Sequence, residues 1–372
     1  MEAGDQAGRH QGTIIRVIHG HHRPLSLHFK YRLRALILAL ALGCCATAFA
    51  AVRHVHLPYP GGKVDVYTEA AQCVIVIEGQ LDRGSAQSVS SAFRLLRPSE
   101  CAERVVVFNS AGGTPNIAYS YAELIRKNGF DTEVARQGLC ASACTYAFLG
   151  GERRFIDEKA RFGVHQHTRN GICSPALTDD EDRRLRSIAE PVMPAPAIDR
   201  FIGLIASIDC REMAFLAPEI LDELSIVNAR LTRVSAAIRS AMETRAMQEI
   251  AAVRATARGP WVRGGGGAAL TVFTRNAAGP PADSRPAIWG LVNHAEDRTH
   301  PQAGERYRSY EALHEVDCEN QAITVILGVY AREAMGQGRI VWRTGRLPPT
   351  PVKPNTPSAI YFRLACGTAV TT

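Results

Sequence analysis

The sequence is short of several things that would have settled a function class at once. The apolar run from Ala35 to Gly43 is too short and too rich in small residues to favour a permanent bilayer span, and the body of the chain has no Lys/Arg-rich run. No Cys-x-x-Cys or Cys/His pair has zinc spacing, and no nucleotide-binding motif is present. The formal charge is +7, but residues 1–50 hold six Lys/Arg against two Asp/Glu, so +4 of it lies there and only +3 remains for the rest. That balance is too small to suggest nucleic acid as a partner, and none is expected. Metal and organic cofactors are likewise not expected.

What is present begins with length: 372 residues hold two ordinary domains and a substantial core. Lys30, Arg32 and Arg34 precede an apolar stretch from Ala35 to Gly43 and the small-residue triplet Ala48-Phe49-Ala50. This is the pattern of a secretory signal cleaved near Ala50, with a periplasmic or secreted product. The 29 residues before it, rich in His and Arg, read as a long basic leader or a mis-assigned start. Beyond residue 50 stand eight cysteines, an even number in a compartment that permits disulfides. Cys73 and Cys101 each precede a strand-like run that neighbouring parallel strands would bring together. Cys318 and Cys366 share the last third of the chain and are natural partners.

Apolar runs and turn residues divide the chain. Cys73 to Leu81, Val105 to Phe108 and Phe130 to Val134 read as strands, with helical stretches at Ser85–Leu96 and Tyr119–Lys127. That alternation predicts a parallel sheet covered by helices. Thr178 caps a predicted helix with acids in its first turn, and Ile198–Ile208 is again helical. Val234 to Arg258 is an alanine-rich helix, and Gly264 to Gly267 reads as a flexible linker. The expected divisions are thus 1–50, 54–233, 234–267 and 268–372. In the last, Ala269–Thr274, Ala322–Tyr330, Gly338–Trp342 and Ala359–Leu364 read as strands.

One constellation carries chemistry. Ser142 lies among small residues (Cys140-Ala-Ser-Ala-Cys144) where an apolar helical run begins, so its hydroxyl is uncovered. His165 closes the short apolar strand Phe162–Val164 and supplies the base that a serine hydroxyl needs near neutral pH. Upstream, Val105–Phe108 ends in Asn109-Ser-Ala-Gly112-Gly113. Two glycines there let backbone N–H groups face a carbonyl oxygen, as an oxyanion hole requires.

These three pieces, in this order, resemble the Clp protease/crotonase superfamily, most closely serine peptidases related to the Clp protease proteolytic subunit. In that family an Asn-Ser-Pro-Gly-Gly turn, a serine opening a helix and an Ile-His-Gln strand end form the site. The matching residues here are Asn109–Gly113 (with Ala111 in place of proline), Ser142, and Val164-His165-Gln166. Phe215-Leu-Ala-Pro-Glu and Leu224–Val227 resemble the family's closing segment, so the likeness spans about residues 73–227. It implies an α/β fold with a β-β-α spiral domain, which the residue patterns above follow with a helical linker and a small β-rich α+β domain. It also implies a serine hydrolase acting on peptides or proteins. Ser142 would be the nucleophile, His165 the base, and Gly112, Gly113 and Ala143 the oxyanion hole. The family's acid falls two residues before the phenylalanine, where this chain has Met213; Asp209 and Glu212 are the nearby substitutes. A homo-oligomer fits the same resemblance.

The segments Val316-Asp-Cys318, the strand ending at Tyr330, and Leu364-Ala-Cys366 resemble the surface-adhesin protein E-like domain. That implies a binding module facing an envelope partner. It also supplies the competing expectation: a catalytically silent scaffold that works through its C-terminal domain.

Overall fold

The computed structural model describes residues 51–96, 100–169, 172–277, 285–301 and 303–367. The signal-like segment and everything before it lie outside the described residues. From Ala51 onward the chain forms one unit.

Strands β1 (Arg53–Tyr59), β2 (Gly62–Glu69) and β3 (Gln72–Gly79) form an antiparallel meander. Helix α1 (Arg83–Leu95) follows, started by a capping box in which Asp82 and Ser85 satisfy each other's backbone amides. It crosses to β4 (Glu103–Asn109), and α2 (Pro115–Lys127) crosses to β5 (Asp131–Val134). Then come β6 (Leu139–Ala141), α3 (Cys144–Phe148), β7 (Arg154–Ile156) and β8 (Arg161–Val164). The main sheet runs β1-β2-β3-β4-β5-β7, parallel from β3 onward.

Both faces of this sheet are buried. Val64, Val66, Ile75, Ile77, Val106 and Phe108 point into the large core under the helices. The alternate residues Tyr67, Val74, Val76, Val105 and Val107 meet Val234 and Ile238 on the other face. Nearly unbroken β-branched runs are what a strand covered on both sides requires.

The middle of the chain supplies the short pair β9 (His167–Arg169) and β10 (Ile172–Ser174). It continues with α4 (Asp179–Ala189), α5 (Ala195–Ser207), β11 (Ala214–Phe215) and α6 (Pro218–Glu223). Thr178 and Glu181 form the capping box of α4, as its sequence predicts. A second sheet, β11-β8-β6, carries the candidate site. Arg154, 1% exposed, ties this region together. Its guanidinium donates to the carbonyls of Gly151, Glu152, Val192, Ser225 and Ile226 at 2.9–3.2 Å.

Helix α7 (Ala236–Arg254) leads to a third sheet of seven strands: β12 (Ala257–Gly266), β13 (Leu270–Ala277), β14 (Ala287–Thr299), β15 (Arg306–Asp317), β16 (Ala322–Ala331), β17 (Ile340–Thr344) and β18 (Thr350–Pro351). All its pairings are antiparallel. Helix α8 (Pro357–Cys366) lies across one face, with Tyr361 and Phe362 buried against Val272, Ile288, Val292 and Val316.

Three expectations are corrected. The α/β β-β-α spiral is not the fold: the molecule is β-rich, built on several sheets, with a seven-stranded antiparallel sheet as its largest. Tight turns at Pro60-Gly61 and Ala70-Ala71 pair β1 to β3 before any helix intervenes, and strands of 12 and 13 residues dominate the last third. Secondly, Ala359–Leu364 is helix, not strand. A short apolar run does not distinguish the two, but Pro357 in the first turn and left-handed Gly367 at the end are helix punctuation. Thirdly, Gly264 and Gly265 belong to β12 rather than to a linker. A Cβ on either would lie 2.9–3.0 Å from the Ile360 side chain, so these glycines admit α8 close to the strand.

Candidate active site

Three chain segments leave the carboxyl ends of neighbouring parallel strands on one side of the molecule. β4 runs into Ser110–Gly113, β6 into Ser142, and β8 into His165. Ala141 pairs with Gly163 across β6 and β8, and Ser110 bridges in parallel to Cys140. In open α/β sheets this is where ligands bind, because loops after parallel strands converge there.

Ser142 turns the chain from β6 into α3 with φ +54°, a left-handed conformation that a residue with a Cβ adopts at a cost of about 1–3 kcal/mol. Its surroundings hold it there. The Cys140–Cys144 disulfide closes the turn around it, and its N–H donates to the Gly163 carbonyl at 2.9 Å. Its carbonyl accepts from both the N–H and the hydroxyl of Thr145, at 3.0 and 2.7 Å. The helix that follows has only five residues, so its dipole adds little to the serine.

The glycine turn packs directly against this elbow. A Cβ on Gly112 would lie 2.6 Å from the Ala141 carbonyl oxygen and 2.8 Å from the Ser142 Cβ. One on Gly113 would lie 2.3 Å from the Leu81 carbonyl oxygen. The Gly112 N–H is taken by the Ser110 hydroxyl at 3.0 Å. Among the described residues, the amides of Gly113 and Ala143 have no hydrogen-bond acceptor. Of the three residues expected to hold an oxyanion, Gly112 is therefore a packing residue, and the other two keep free donors.

His165 is half-buried, and its Nδ1 is buried without a hydrogen-bond partner. Burial, with His167 nearby, pushes its pKa below the ordinary histidine value, so the ring is neutral at pH 7. Neither candidate acid reaches it. Asp209 is held by Arg211, which donates from Nε and Nη2 at 2.8 Å and depresses the carboxyl's pKa strongly. Glu212 is exposed. The pairing of Ala214 with Val164 sets Met213 beside His165, and its Sδ lies against Gly163.

Sequence reasoning missed a second histidine. His167, 8% exposed, sits between the Tyr146 hydroxyl at 2.7 Å from Nε2 and Glu181 at 3.2 Å from Nδ1. Glu181 also binds Arg169 and the Thr178 amide. This chain pins β9 to α4 and to the short α3. The only sequence signal was its spacing, two residues after His165.

The loop between β17 and β18 reaches the glycine turn. Arg346, Leu347 and Pro348 face the Gly112–Gly113 turn across a cavity of about 40 Å³. Glu315 holds the Arg346 guanidinium at 3.2 Å, and Gln137 donates to the Val341 carbonyl at 2.9 Å. A much larger cavity of about 630 Å³, lined by Arg126, Arg154 and Met193 among others, contains neither Ser142 nor His165.

The remaining cysteines pair as Cys73–Cys101, Cys173–Cys210 and Cys318–Cys366, so both expected pairs form. Residues 261–367 match the family model described as Surface-adhesin protein E. The chain is similar to that family over this region, as the Val316–Cys318 and Leu364–Cys366 segments led us to expect. The match and the disulfides are consistent with an exported or surface protein. No curated protein matches the chain. No comparison supports the Clp protease/crotonase resemblance over residues 73–227.

Proposed function

We propose that this chain is an exported serine hydrolase, cleaved near Ala50, that attacks peptide or ester carbonyls through Ser142. The observation that carries the reading is the strained elbow: a serine at φ +54°, fastened by a disulfide and packed against a glycine turn. Backbone strain persists where the surroundings over-determine it, and nucleophiles presented on strand-to-helix turns are a recurrent case. In the mechanism, Ser142 Oγ attacks the carbonyl carbon while neutral His165 takes the hydroxyl proton. The amides of Gly113 and Ala143 receive the oxyanion, each such donor being worth about 3–4 kcal/mol in the transition state. The protonated imidazole then returns its proton to the leaving group, and water, deprotonated by His165, hydrolyses the acyl-Ser142 ester and restores the hydroxyl. With Met213 where an acid would stand, the pair works as a dyad.

A fluorophosphonate probe tests this on the full, disulfide-intact protein. Labelling at Ser142, abolished in Ser142→Ala, is expected. No labelling of folded protein between pH 6 and 9 ends the hydrolase reading. The second reading is then a binding scaffold whose C-terminal domain meets an envelope protein. The adhesin-family match over residues 261–367 favours it.

A further inference from the structure

Far from Ser142 in sequence, the first strand carries a feature that the hydrolase reading does not use. His54 and His56 stand two apart on β1, so both rings project from the same face of the sheet. Asp65 on β2 lies directly across from His56. Its Oδ1 is 2.8 Å from His54 Nε2 and 2.8 Å from His56 Nδ1. The three donor atoms all lie within 4.8 Å of one another. We propose that His54, His56 and Asp65 form a binding site for a divalent transition-metal cation, zinc being the ion that suits the donor set.

Two imidazoles and one carboxylate are ligands of borderline hardness, which suit zinc and exclude calcium and magnesium. Zinc bonds to nitrogen and oxygen of ~2.0–2.2 Å at tetrahedral angles place neighbouring donors roughly 3.3–3.5 Å apart. The 2.8 Å spacings from Asp65 Oδ1 to each ring nitrogen therefore need to open by only ~0.5 Å to admit the ion. The ligands are also supported. Asp65 is 3% exposed, and its second oxygen is 3.5 Å from Lys63 Nζ, which is itself paired with Glu249 on α7. The His54 ring stacks on Tyr67 at 4.7 Å, which fixes its plane. Hydrogen-bonded carboxylates and oriented rings of this kind tune metal sites.

Access matches as well. The two histidine side chains are 26% and 34% exposed on an edge strand, so an ion enters from solvent and keeps water in its fourth position. A second group of potential ligands, Cys173, Asp209 and Cys210, is different: its cysteines are joined to each other and are not available as thiolates. With a metal in place, β1 would be clamped to β2 by a bond stronger than edge pairing alone.

The test is equilibrium dialysis of Zn²⁺ against chelator-treated, oxidised, tag-free full-length protein, beside His54→Gln, His56→Gln and Asp65→Asn. Histidines elsewhere contribute the same background to all four, so the readout is the difference. Wild type is expected to bind one more Zn²⁺ per chain than each variant. Co²⁺ in the same protein should give visible absorption of a four-coordinate nitrogen/oxygen site that is lost in His56→Gln. Equal zinc stoichiometry in wild type and His56→Gln overturns the proposal. Since His56 is partly exposed, that variant is expected to keep the wild-type circular dichroism. It therefore remains decisive if Asp65→Asn fails to fold.

Discussion

The two halves of this molecule use β-structure in opposite ways. In the first, β3, β4, β5 and β7 run parallel, as do β6 and β8, so the loops after Asn109, Ala141 and Val164 leave in one direction. In the C-terminal sheet every pairing is antiparallel, so successive loops alternate between opposite ends. The polar and strained groups follow the first pattern: glycine turn, serine elbow and histidine collect at one end of parallel strands. The C-terminal sheet is packed on other lines. Its buried interior is the apolar seam under α8 and an aromatic cluster around Tyr307, Tyr330 and Trp342. Parallel topology concentrates function at one end, whereas antiparallel topology builds a surface.

The sharpest break of this comparison is at His165. His165→Ala should lower the rate of fluorophosphonate labelling by about 10²–10⁴-fold, the usual worth of a general base. Burial depresses the imidazole's pKa from its ordinary value, which favours the base form at neutral pH. Wild-type labelling should therefore be level across neutral pH and fall only in acid. A profile that rises steeply between pH 7 and 8 would mean that another group is the base.

Stability should split along the same division. Removing the Cys318–Cys366 bridge, whose ends are 48 residues apart, should cost about 4 kcal/mol in the chain-entropy model and loosen the C-terminal sheet. Arg154→Leu should act on the first half, stranding five carbonyls at about 1–3 kcal/mol for each that stays buried and unpaired. Its net cost is expected at about 3 kcal/mol or more. Hydrogen exchange on each variant would show which sheet opens. Simultaneous opening of both sheets in both variants would mean that the contacts through Gln137 and α7 weld the halves into one cooperative unit.

The smallest effect is expected at the two acids that sequence reasoning placed beside the site. Asp209→Asn and Glu212→Gln should each leave labelling within about twofold, the range of a surface substitution. A loss of a hundredfold in either would show that the acid swings onto His165 when substrate binds.

Much of the first half was legible in the chain. The runs at Cys73, Val105 and Phe130 are strands, Thr178 caps a helix, and Cys73–Cys101 and Cys318–Cys366 pair as expected. The antiparallel strands β1, β2, β14 and β15 were not read. Val64 and Asp65 alternate with residues that give no strong period, and β14 and β15 mix charged with apolar residues along their length. Their burial is decided by neighbours more than a hundred positions away in some cases, such as Lys63 of β2 against Glu249 of α7.

What the sequence determined by itself is therefore local. Residue type and spacing placed Ser142 at a turn, His165 at a strand end and two glycines at a third, because β-branched runs and glycine act over a few residues. Three-dimensional packing decided the rest. It packed Gly112 against the Ser142 elbow, joined the Ser142 amide to the Gly163 carbonyl, and set Met213 across from His165. It also gathered His54, His56 and Asp65 around one oxygen. The physical reason is the same each time: hydrogen-bond partners and strand register are settled by which segments come together. No pattern within one segment encodes its neighbour.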